Sequence, residues 1–374
     1  MVDPEITFVL GTRPEIIKLA PVIRCCDRRD IPYSILHTGQ HYSDELDTVF
    51  FDQLELPAPD YNLEVGSGRH GQQTAAMLAG IEEIILEDEP SVVFVQGDTN
   101  SVLAGALALS KLDIPVGHIE AGLRSFDRDM PEETNRVVAD HVGDYLFAPT
   151  EHSQEYLRDE GIDHGRIFVT GNTIVDAVKQ HRQLAREKST VLEEMGVADK
   201  SYGLLTAHRA ENVDVQERFE GLLEGVGRVA SAFEMGVIYP IHPRAQAQLD
   251  ELELTVPDSI TVVESQDYLD FLQLEQDADL IMTDSGGVQE EACILGVPCV
   301  TLRDNTERPE TVEVGANLLA GVDPEEILSC ATQMVARETN WSNPFGSGDA
   351  SDQILNSMLA DGTSFGSNSD TTQE

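Results

Sequence analysis

Three acidic side chains occupy positions in the sequence where a carboxylate could move a proton. Asp98 and Glu120 each follow a short apolar run, and Glu132 opens a polar segment that ends at Arg136. Any one of the three alone is compatible with a helix N-cap or an ordinary surface acid. Three carboxylates gathered at one edge of a sheet would raise one another's pKa, which suits general acid and base catalysis.

Two glycine-containing turns predict sites for an anion such as a diphosphate. The first follows an apolar run at Gly11 and brings the cations Arg13 and Lys18 to the start of a helix. The second is the Asp-Ser-Gly-Gly turn at residues 284–287, whose backbone N–H groups could approach phosphate oxygens. A helix N-terminus favours negative charge in both places. An ordinary turn with solvated charges remains the alternative for each.

Histidines, arginines and carboxylates near the second turn extend this pattern. His208 and His242 each end an apolar run, where an imidazole could act as acid, base or phosphate contact. Arg303 and Arg308 supply further cations. We expect Glu290 and Glu291 in the first turn of the helix after residue 287, where a carboxylate could accept ribose hydroxyls. The two histidines could equally be structural, the arginines could belong to a solvated charged loop, and the glutamates could be ordinary acidic residues at a glycine-rich helix start.

The elements that position these residues form an alternating series. Short apolar runs alternate with amphipathic segments from residue 6 to about residue 169, and the alternation restarts near residue 202. This order predicts an α/β protein with two Rossmann-like, doubly wound domains facing a cleft. We expect the first at residues 1–180 and the second at 190–350. A terminal helix at 351–360 and a disordered tail at 361–374 would follow.

A net charge of −44 at pH 7 restricts the partners of this 374-residue chain. A general nucleic-acid surface needs basic patches, so none is expected. Such self-repulsion is screened in multimolar salt, which predicts a halophilic source. No apolar stretch is long enough to span a bilayer, and the N-terminus lacks the pattern of a signal peptide. We therefore expect a cytoplasmic protein that does not bind membranes.

The motifs give no support for a metal or a nicotinamide cofactor. The five cysteines lack CxxC or zinc-ligand spacing. Residues 66–71 fit the pattern GxGxxG, but no convincing strand precedes them. An acidic strand end about 20 residues further on is also lacking. We interpret this segment as a loop and predict catalysis without a cofactor.

In their order along the chain, these motifs resemble those of the non-hydrolysing UDP-N-acetylglucosamine (UDP-GlcNAc) 2-epimerases. The resemblance spans roughly residues 6–360 and rests on segments 11–18, 96–99, 118–124, 131–136, 206–209 and 284–291. It implies a GT-B fold and interconversion of UDP-GlcNAc with UDP-N-acetylmannosamine (UDP-ManNAc). It also implies a homodimer and use of the product in surface-polysaccharide or glycoprotein synthesis.

The resemblance also implies roles for individual residues. The catalytic group would comprise Asp98, Glu120, Glu132 and His208. The substrate- and UDP-binding positions would be Arg13, Lys18, Arg136, His242, Phe271, Ser285, Gly286, Gly287, Glu291 and Arg308. Gln40, His41 and Arg69 match an activating UDP-GlcNAc site of bacterial relatives and are candidate regulatory residues.

The reaction expected from this resemblance inverts C2 of the sugar through elimination and re-addition of UDP. The sequence leaves open which of the three carboxylates is the base. A GT-B glycosyltransferase, a hydrolysing epimerase and a sensor that binds without turnover remain alternatives.

Overall fold

The chain forms two units, each built on a parallel β-sheet. The computed structural model describes residues 5–40 and 44–360, with the side chains of 44–48, 359 and 360 excepted. The first unit contains the described residues up to Ala177 and those from Phe345 onward, and the second is Val178–Pro344. The predicted disordered tail lies outside the described residues. No helix in the described ranges is long and apolar enough to cross a membrane.

Seven parallel strands form the sheet of the first unit. They are β1 (Ile6–Leu10), β2 (Tyr33–His37), β3 (Tyr61–Asn62), β4 (Val92–Gln96), β5 (Val116–Ile119), β6 (Tyr145–Ala148) and β7 (Ile167–Val169), in the order β3-β2-β1-β4-β5-β6-β7. The helices between them are α1 (Arg13–Arg28), α2 (Asp44–Gln53), α3 (His70–Asp88), α4 (Asn100–Leu109), α5 (Pro131–Val142) and α6 (Glu151–Asp159). A 3-10 turn at His164–Arg166 precedes β7. β1 and β4 are buried along their whole length, as expected of central parallel strands.

The second unit repeats this plan with six parallel strands. Helix α7 (Thr173–Lys188) contains the boundary between the units, and α8 (Val191–Glu194) follows it. The strands are β8 (Tyr202–Thr206), β9 (Gly236–Ile241), β10 (Ile260–Glu264), β11 (Leu280–Thr283), β12 (Cys299–Thr301) and β13 (Asn317–Leu319), in the order β10-β9-β8-β11-β12-β13. The helices are α9 (Ala210–Val213), α10 (Gln216–Ala232), α11 (Pro243–Glu251), α12 (Tyr268–Asp277), α13 (Gly286–Leu295), α14 (Pro309–Glu313) and α15 (Pro324–Val335).

A last helix, α16 (Ala350–Ala360), belongs to the first unit. It is held by Asp176, whose carboxylate accepts hydrogen bonds from the backbone N–H of Ala350 and of Ser351 at 3.2 and 3.0 Å. Arg29, at the end of α1, pairs with Asp352 of the same helix. These contacts attach the last helix to the first unit, which resumes at Phe345, whereas the sequence placed the second domain up to residue 350 and a separate terminal helix after it.

Each sheet has one point where the strand order reverses direction. In the first sheet this point lies between β1 and β4, and in the second between β8 and β11. The chain leaves the two neighbouring strands toward opposite sides there, which opens a crevice at their carboxyl ends. The turns after β1, β4, β8 and β11 carry the motifs identified in the sequence, so the fold places them where α/β proteins bind ligands.

Several elements differ from those predicted. Residues 61–62, just before the GxGxxG segment, form a two-residue strand in a stretch where the sequence gave no convincing strand, because pairing with Leu36 and His37 of β2 extends the sheet by one strand. The short strand β13 and the helix α7 were not predicted.

Candidate active site

The turn after β1 contains a buried carboxylate. Glu15, 1% exposed, accepts a hydrogen bond from the backbone N–H of Gly11 at 2.7 Å and from Oγ1 of Thr99 at 2.5 Å. Burial raises the pKa of Glu15 from 4.5 to about 7. Because Thr99 follows β4, this carboxyl joins the two turns at the reversal point of the first sheet. Arg13, in contrast, is exposed, with its guanidinium 5.9 Å from the ring centre of Phe50.

Glu120 directly follows β5 and is held in a strained conformation. Its backbone φ is +72°, in the left-handed region that side chains other than glycine rarely adopt. The carboxylate is buried, with Nζ of Lys18 at 2.6 Å and Nε2 of Gln96 at 2.5 Å. Nδ2 of Asn172 donates to it at 3.3 Å. Such a network fixes the carboxylate in one orientation.

Asp98, in the turn after β4, is also paired with a cation. Its carboxylate binds Nη2 of Arg136, and its backbone carbonyl accepts from Nδ2 of Asn135 at 2.9 Å. The side chain of Asp98 remains 35% exposed, whereas that of Arg136 is 7% exposed. Asp98 therefore combines a fixed position with access to a ligand.

The two glutamates at the start of α5 have different surroundings. Glu133 is buried and accepts from the backbone N–H groups of Ser125 and Phe126 at 2.9 and 3.0 Å, and from Arg136 at 3.1 Å. It fixes the loop before α5. Glu132 is exposed in the first turn of the helix. The predicted catalytic position is thus the accessible member of the pair.

In the second unit, a fully buried aspartate organises the turn after β8. Asp284 accepts from the backbone N–H groups of His208 and Arg209 at 3.0 and 2.9 Å, and from Nδ2 of Asn212 at 3.2 Å. It also lies 3.1 Å from Nδ1 of His208. Burial alone would raise the pKa of Asp284, but these contacts, led by that of His208, lower it overall. The charged aspartate orients His208, whose side chain is 39% exposed.

A cavity of about 270 Å³ opens beside His208. The rings of His208 and His242 lie 5.6 Å apart on its wall. Burial, together with the charge on His208, lowers the pKa of His242. The cavity is lined by Thr206, Ala207, His208, Pro240, His242, Ser265, Gln266, Phe271, Ser285 and Val288. It therefore brings together four predicted site residues of the second unit.

The N-terminus of α13 begins beside this cavity. Ser285 is its N-cap, but the serine hydroxyl does not cap the helix, and Gly286 is the first helical residue. A Cβ added to Gly286 would meet nothing closer than Oε2 of Glu307 at 3.8 Å, and one at Gly287 nothing closer than Oγ of Ser285 at 3.9 Å. Neither glycine has a positive φ. Steric demands within the chain therefore do not explain these glycines, whereas close approach of a ligand would.

The carboxylates of α13 are one turn further from its start than the sequence predicted. The helix begins at Gly286, so Glu290 and Glu291 lie in its second turn, and both are buried. Oε1 of Glu290 lies 2.7 Å from Nε of Arg308. Burial together with the charge of Glu291 raises the pKa of Glu275, in α12, well above its usual value.

Arg303 has a different environment from the free cation that the sequence indicated. Its guanidinium donates to both carboxylate oxygens of Glu307, at 2.8 and 3.0 Å, and to Glu211 at 3.1 Å. Although burial raises it, the pKa of Glu307 falls to about 2 because of the hydrogen bonds and charge of Arg303. Arg303 therefore stabilises the loop between β12 and α14.

The candidate regulatory residues occupy separate environments. Gln40 is buried, and its side-chain oxygen accepts from the backbone N–H and the hydroxyl of Ser101 at 3.1 and 2.9 Å. Arg69 is exposed at the N-cap of α3. His41 lies outside the described residues.

Sequence reasoning did not identify Glu15, Gln96 or Asn172 as site residues. Glu15 lies inside a recognised motif, but its burial depends on packing against the β4 turn. Gln96 and Asn172 come at or just beyond the ends of β4 and β7, so their positions at strand ends were the available signal. Among the described residues, no group of three histidines, cysteines or acids is arranged to hold a metal ion.

Comparison with known proteins gives a consistent result over nearly the whole chain. The family described as UDP-N-acetylglucosamine 2-epimerase matches residues 24–359. The UDP-N-acetylglucosamine 2-epimerase of Methanocaldococcus jannaschii is 52% identical over 94% of this chain and 98% of its own length. A UDP-2,3-diacetamido-2,3-dideoxy-D-glucuronate 2-epimerase of Pseudomonas aeruginosa is 39% identical over 94% and 98%.

Solved structures agree with these relatives. The M. jannaschii enzyme in complex with UDP-GlcNAc and UDP has a TM-score of 0.86 and covers 96% of this chain and 99% of its own. The UDP-GlcNAc 2-epimerase of Neisseria meningitidis bound to UDP-GlcNAc is 33% identical, with a TM-score of 0.85 and coverage of 95% and 99%. These likenesses confirm the α/β, GT-B class of fold. The chain belongs to the UDP-N-acetylglucosamine 2-epimerase family.

Proposed function

We propose that this protein interconverts UDP-GlcNAc and UDP-ManNAc by inverting C2 of the sugar. The observation that carries the proposal is the pair of strand-end carboxylates, Asp98 and Glu120, each held by a cation at the carboxyl edge of the first sheet. Full-length similarity to epimerases of this specificity supports the choice of substrate.

The chemistry requires that the C2 proton first become acidic. No carbonyl carbon is attached to C2, so direct deprotonation is unfavourable. Breaking the C1–O bond places positive character on C1, and a carboxylate then removes the C2 proton. The electron pair of the C–H bond forms the C1–C2 double bond, and the bonding pair of C1–O leaves with UDP. Protonation of C2 from the opposite face and return of the UDP oxygen to C1 complete the inversion.

The leaving UDP needs a site that stabilises its charge. The backbone N–H groups at the start of α13 and the guanidinium of Arg308 suit the diphosphate, and Arg13 and Lys18 supply cations on the first unit. Phe271 and His242, on the cavity wall, suit the nucleoside, and Glu291 suits the ribose hydroxyls. We assign acid and base roles to the group Asp98, Glu120, Glu132 and His208.

The test is turnover of UDP-GlcNAc without acceptor, without nicotinamide and with EDTA, with the products separated by chromatography. UDP-ManNAc is the expected product. Free N-acetylmannosamine with UDP would indicate a hydrolysing enzyme. Turnover only with an acceptor would indicate a glycosyltransferase, and dependence on metal would contradict the cofactor-free scheme.

We also propose that the enzyme works in the cytoplasm as a homodimer and that Gln40, His41 and Arg69 contribute to a regulatory site. Light scattering during size-exclusion chromatography tests the dimer. Stimulation by added UDP-GlcNAc of the initial rate with UDP-ManNAc as substrate, lost in Arg69→Ala, tests the regulatory site.

A further inference from the structure

His118, at the end of β5, has a hydrogen-bond partner at each ring nitrogen. Nδ1 lies 2.7 Å from Oδ1 of Asp140, and Nε2 lies 2.8 Å from the carbonyl oxygen of Gly97. The side chains of His118 and Asp140 are both fully buried. Both partners are acceptors, whereas a neutral imidazole offers only one N–H. Two simultaneous hydrogen bonds therefore require an imidazolium.

The surroundings of His118 balance this positive charge. Oδ2 of Asp140 lies 2.7 Å from Nη1 of Arg124. The guanidinium of Arg124 also donates from Nε and Nη2 to the carboxylate of Glu160, the residue that follows α6, at 2.7 Å. The cluster thus contains two cations and two carboxylates. Burial lowers the pKa of His118, but the charge and hydrogen bond of Asp140 and the carbonyl of Gly97 raise it above its ordinary value overall.

This cluster is attached to the loops after β4 and β5, which carry Asp98 and Glu120. Gly97, whose φ is +83°, directly precedes Asp98. The backbone N–H of Gly122, two residues after Glu120, donates to Oδ2 of Asp140 at 3.2 Å. The imidazolium and its carboxylate therefore connect the backbone beside one carboxylate to the backbone beside the other.

We infer that His118 is a positioning residue that sets the relative placement of Asp98 and Glu120 through its hydrogen bonds to Gly97 and Asp140. The inference rests on the proposed function, because it requires both carboxylates to act on the substrate. A displacement of one loop by a fraction of an ångström should slow the chemical step and leave UDP binding unchanged, since both hydrogen-bond partners of His118, Gly97 and Asp140, lie outside the proposed UDP site.

Two substitutions separate the hydrogen bonds. In His118→Asn, the amide can reach Asp140 but not Gly97. In His118→Gln, the longer amide can donate to Gly97. We expect kcat of His118→Asn to fall about tenfold or more, with the Kd for UDP unchanged within about twofold. His118→Gln should retain more of kcat than His118→Asn. The Asn variant should also release more UDP and glycal per epimer formed.

A purely structural role would lower thermal stability in both variants and leave kcat per folded enzyme unchanged, which would overturn the inference. His181→Asn is the matched control, because His181 is equally buried, contacts Tyr268 and lies outside the proposed site. It should cost stability without changing the ratio of products.

A measurement on the unsubstituted protein covers the case in which the variants do not fold. ¹⁵N NMR should show both ring nitrogens of His118 protonated at pH 6.5, the ordinary pKa of histidine, and a neutral ring there would overturn the inference. Absence of epimerisation by the unsubstituted enzyme would instead contradict the proposed function. The protonation state of the His118 ring can still be measured in that case, so the two failures are distinguishable.

Discussion

Two of the three proposed catalytic carboxylates of the first unit, Glu120 and Asp98, are oriented by the groups that bind them. Lys18 and Gln96 hold Glu120, and Arg136 holds Asp98, so both carboxylates enter the reaction with fixed geometry. Preorganisation of this kind avoids reorganisation during the chemical step. The strained backbone of Glu120 is consistent with a position maintained for function.

Replacing either carboxylate with its amide should nearly abolish turnover. An amide cannot take up a proton, so we expect Asp98→Asn and Glu120→Gln each to lose about 10²-fold or more in kcat. The measurement is the initial rate at saturating UDP-GlcNAc in multimolar KCl. Glu151→Gln, an exposed acid in the first turn of α6, is the control and should keep full activity. Near wild-type rates for both site variants would contradict the assignment.

Glu15 should make the stability of the protein depend on pH. Its folded-state pKa of about 7 lies above the usual 4.5. Between these two pH values the folded protein keeps a proton on Glu15 that the unfolded chain has lost. The stabilisation is complete below the lower value and is lost as the pH rises through the higher one. Relative to Glu15→Gln, the free energy of unfolding should fall by about 1.5 kcal/mol between about pH 5.5 and 7.

Urea denaturation of the unsubstituted protein and of Glu15→Gln across this pH range measures the difference in their free energies of unfolding. Subtracting the two values removes the contributions of all other titratable groups, which the two proteins share. A difference that stays constant with pH would show that Glu15 is ionised throughout.

At the scale of elements, the N-terminus of α13 is the part of the second unit most clearly shaped for a ligand. The chain leaves room for a Cβ at Gly286, and its φ is not positive. Gly286→Ala should therefore leave the free energy of unfolding unchanged or raise it by up to about 1 kcal/mol. Binding of UDP should weaken by about tenfold or more, because the methyl group would occupy the space beside the backbone N–H groups.

Gly296→Ala is the matched control at the other end of the same helix. Gly296 has a φ of +79° and no atom within 4 Å of the added Cβ, so strain alone should destabilise the variant by about 1 kcal/mol. Isothermal titration calorimetry of both variants with UDP should show normal affinity for Gly296→Ala. Equal affinity in the two variants would contradict a diphosphate site at the start of α13.

Strand-end motifs could be located from the sequence because buried parallel strands appear as short apolar runs, and the first polar residues after them mark the ligand edge. The runs at β1, β4, β5, β8 and β11 were of this kind. The side chains that contact these motifs could not be predicted from the sequence in the same way. Arg308 meets Glu290, and Glu275 meets Glu291, through packing of different helices. The sequence placed Glu290 in the wrong turn of α13 because the start of a helix can be predicted only to within a residue or two.

At the scale of the whole molecule, the net charge of −44 predicts a strong response to salt. Screening shortens the Debye length from about 10 Å at 0.1 M to about 3 Å at 1 M salt. The melting temperature should rise by on the order of 10 °C between dilute and multimolar KCl, since each kcal/mol shifts it by about 2–4 °C. Sucrose of equal osmolality, which does not screen charge, is the control. Equal stabilisation by sucrose and KCl would contradict an electrostatic origin.

The most direct test of the proposed epimerisation is NMR of the sugar during turnover in D₂O, with UDP-GlcNAc as the only substrate. The account predicts UDP-ManNAc that carries deuterium at C2, because the proton removed there is replaced from solvent. UDP-ManNAc that keeps its original hydrogen at C2, or the absence of any epimer, would contradict it.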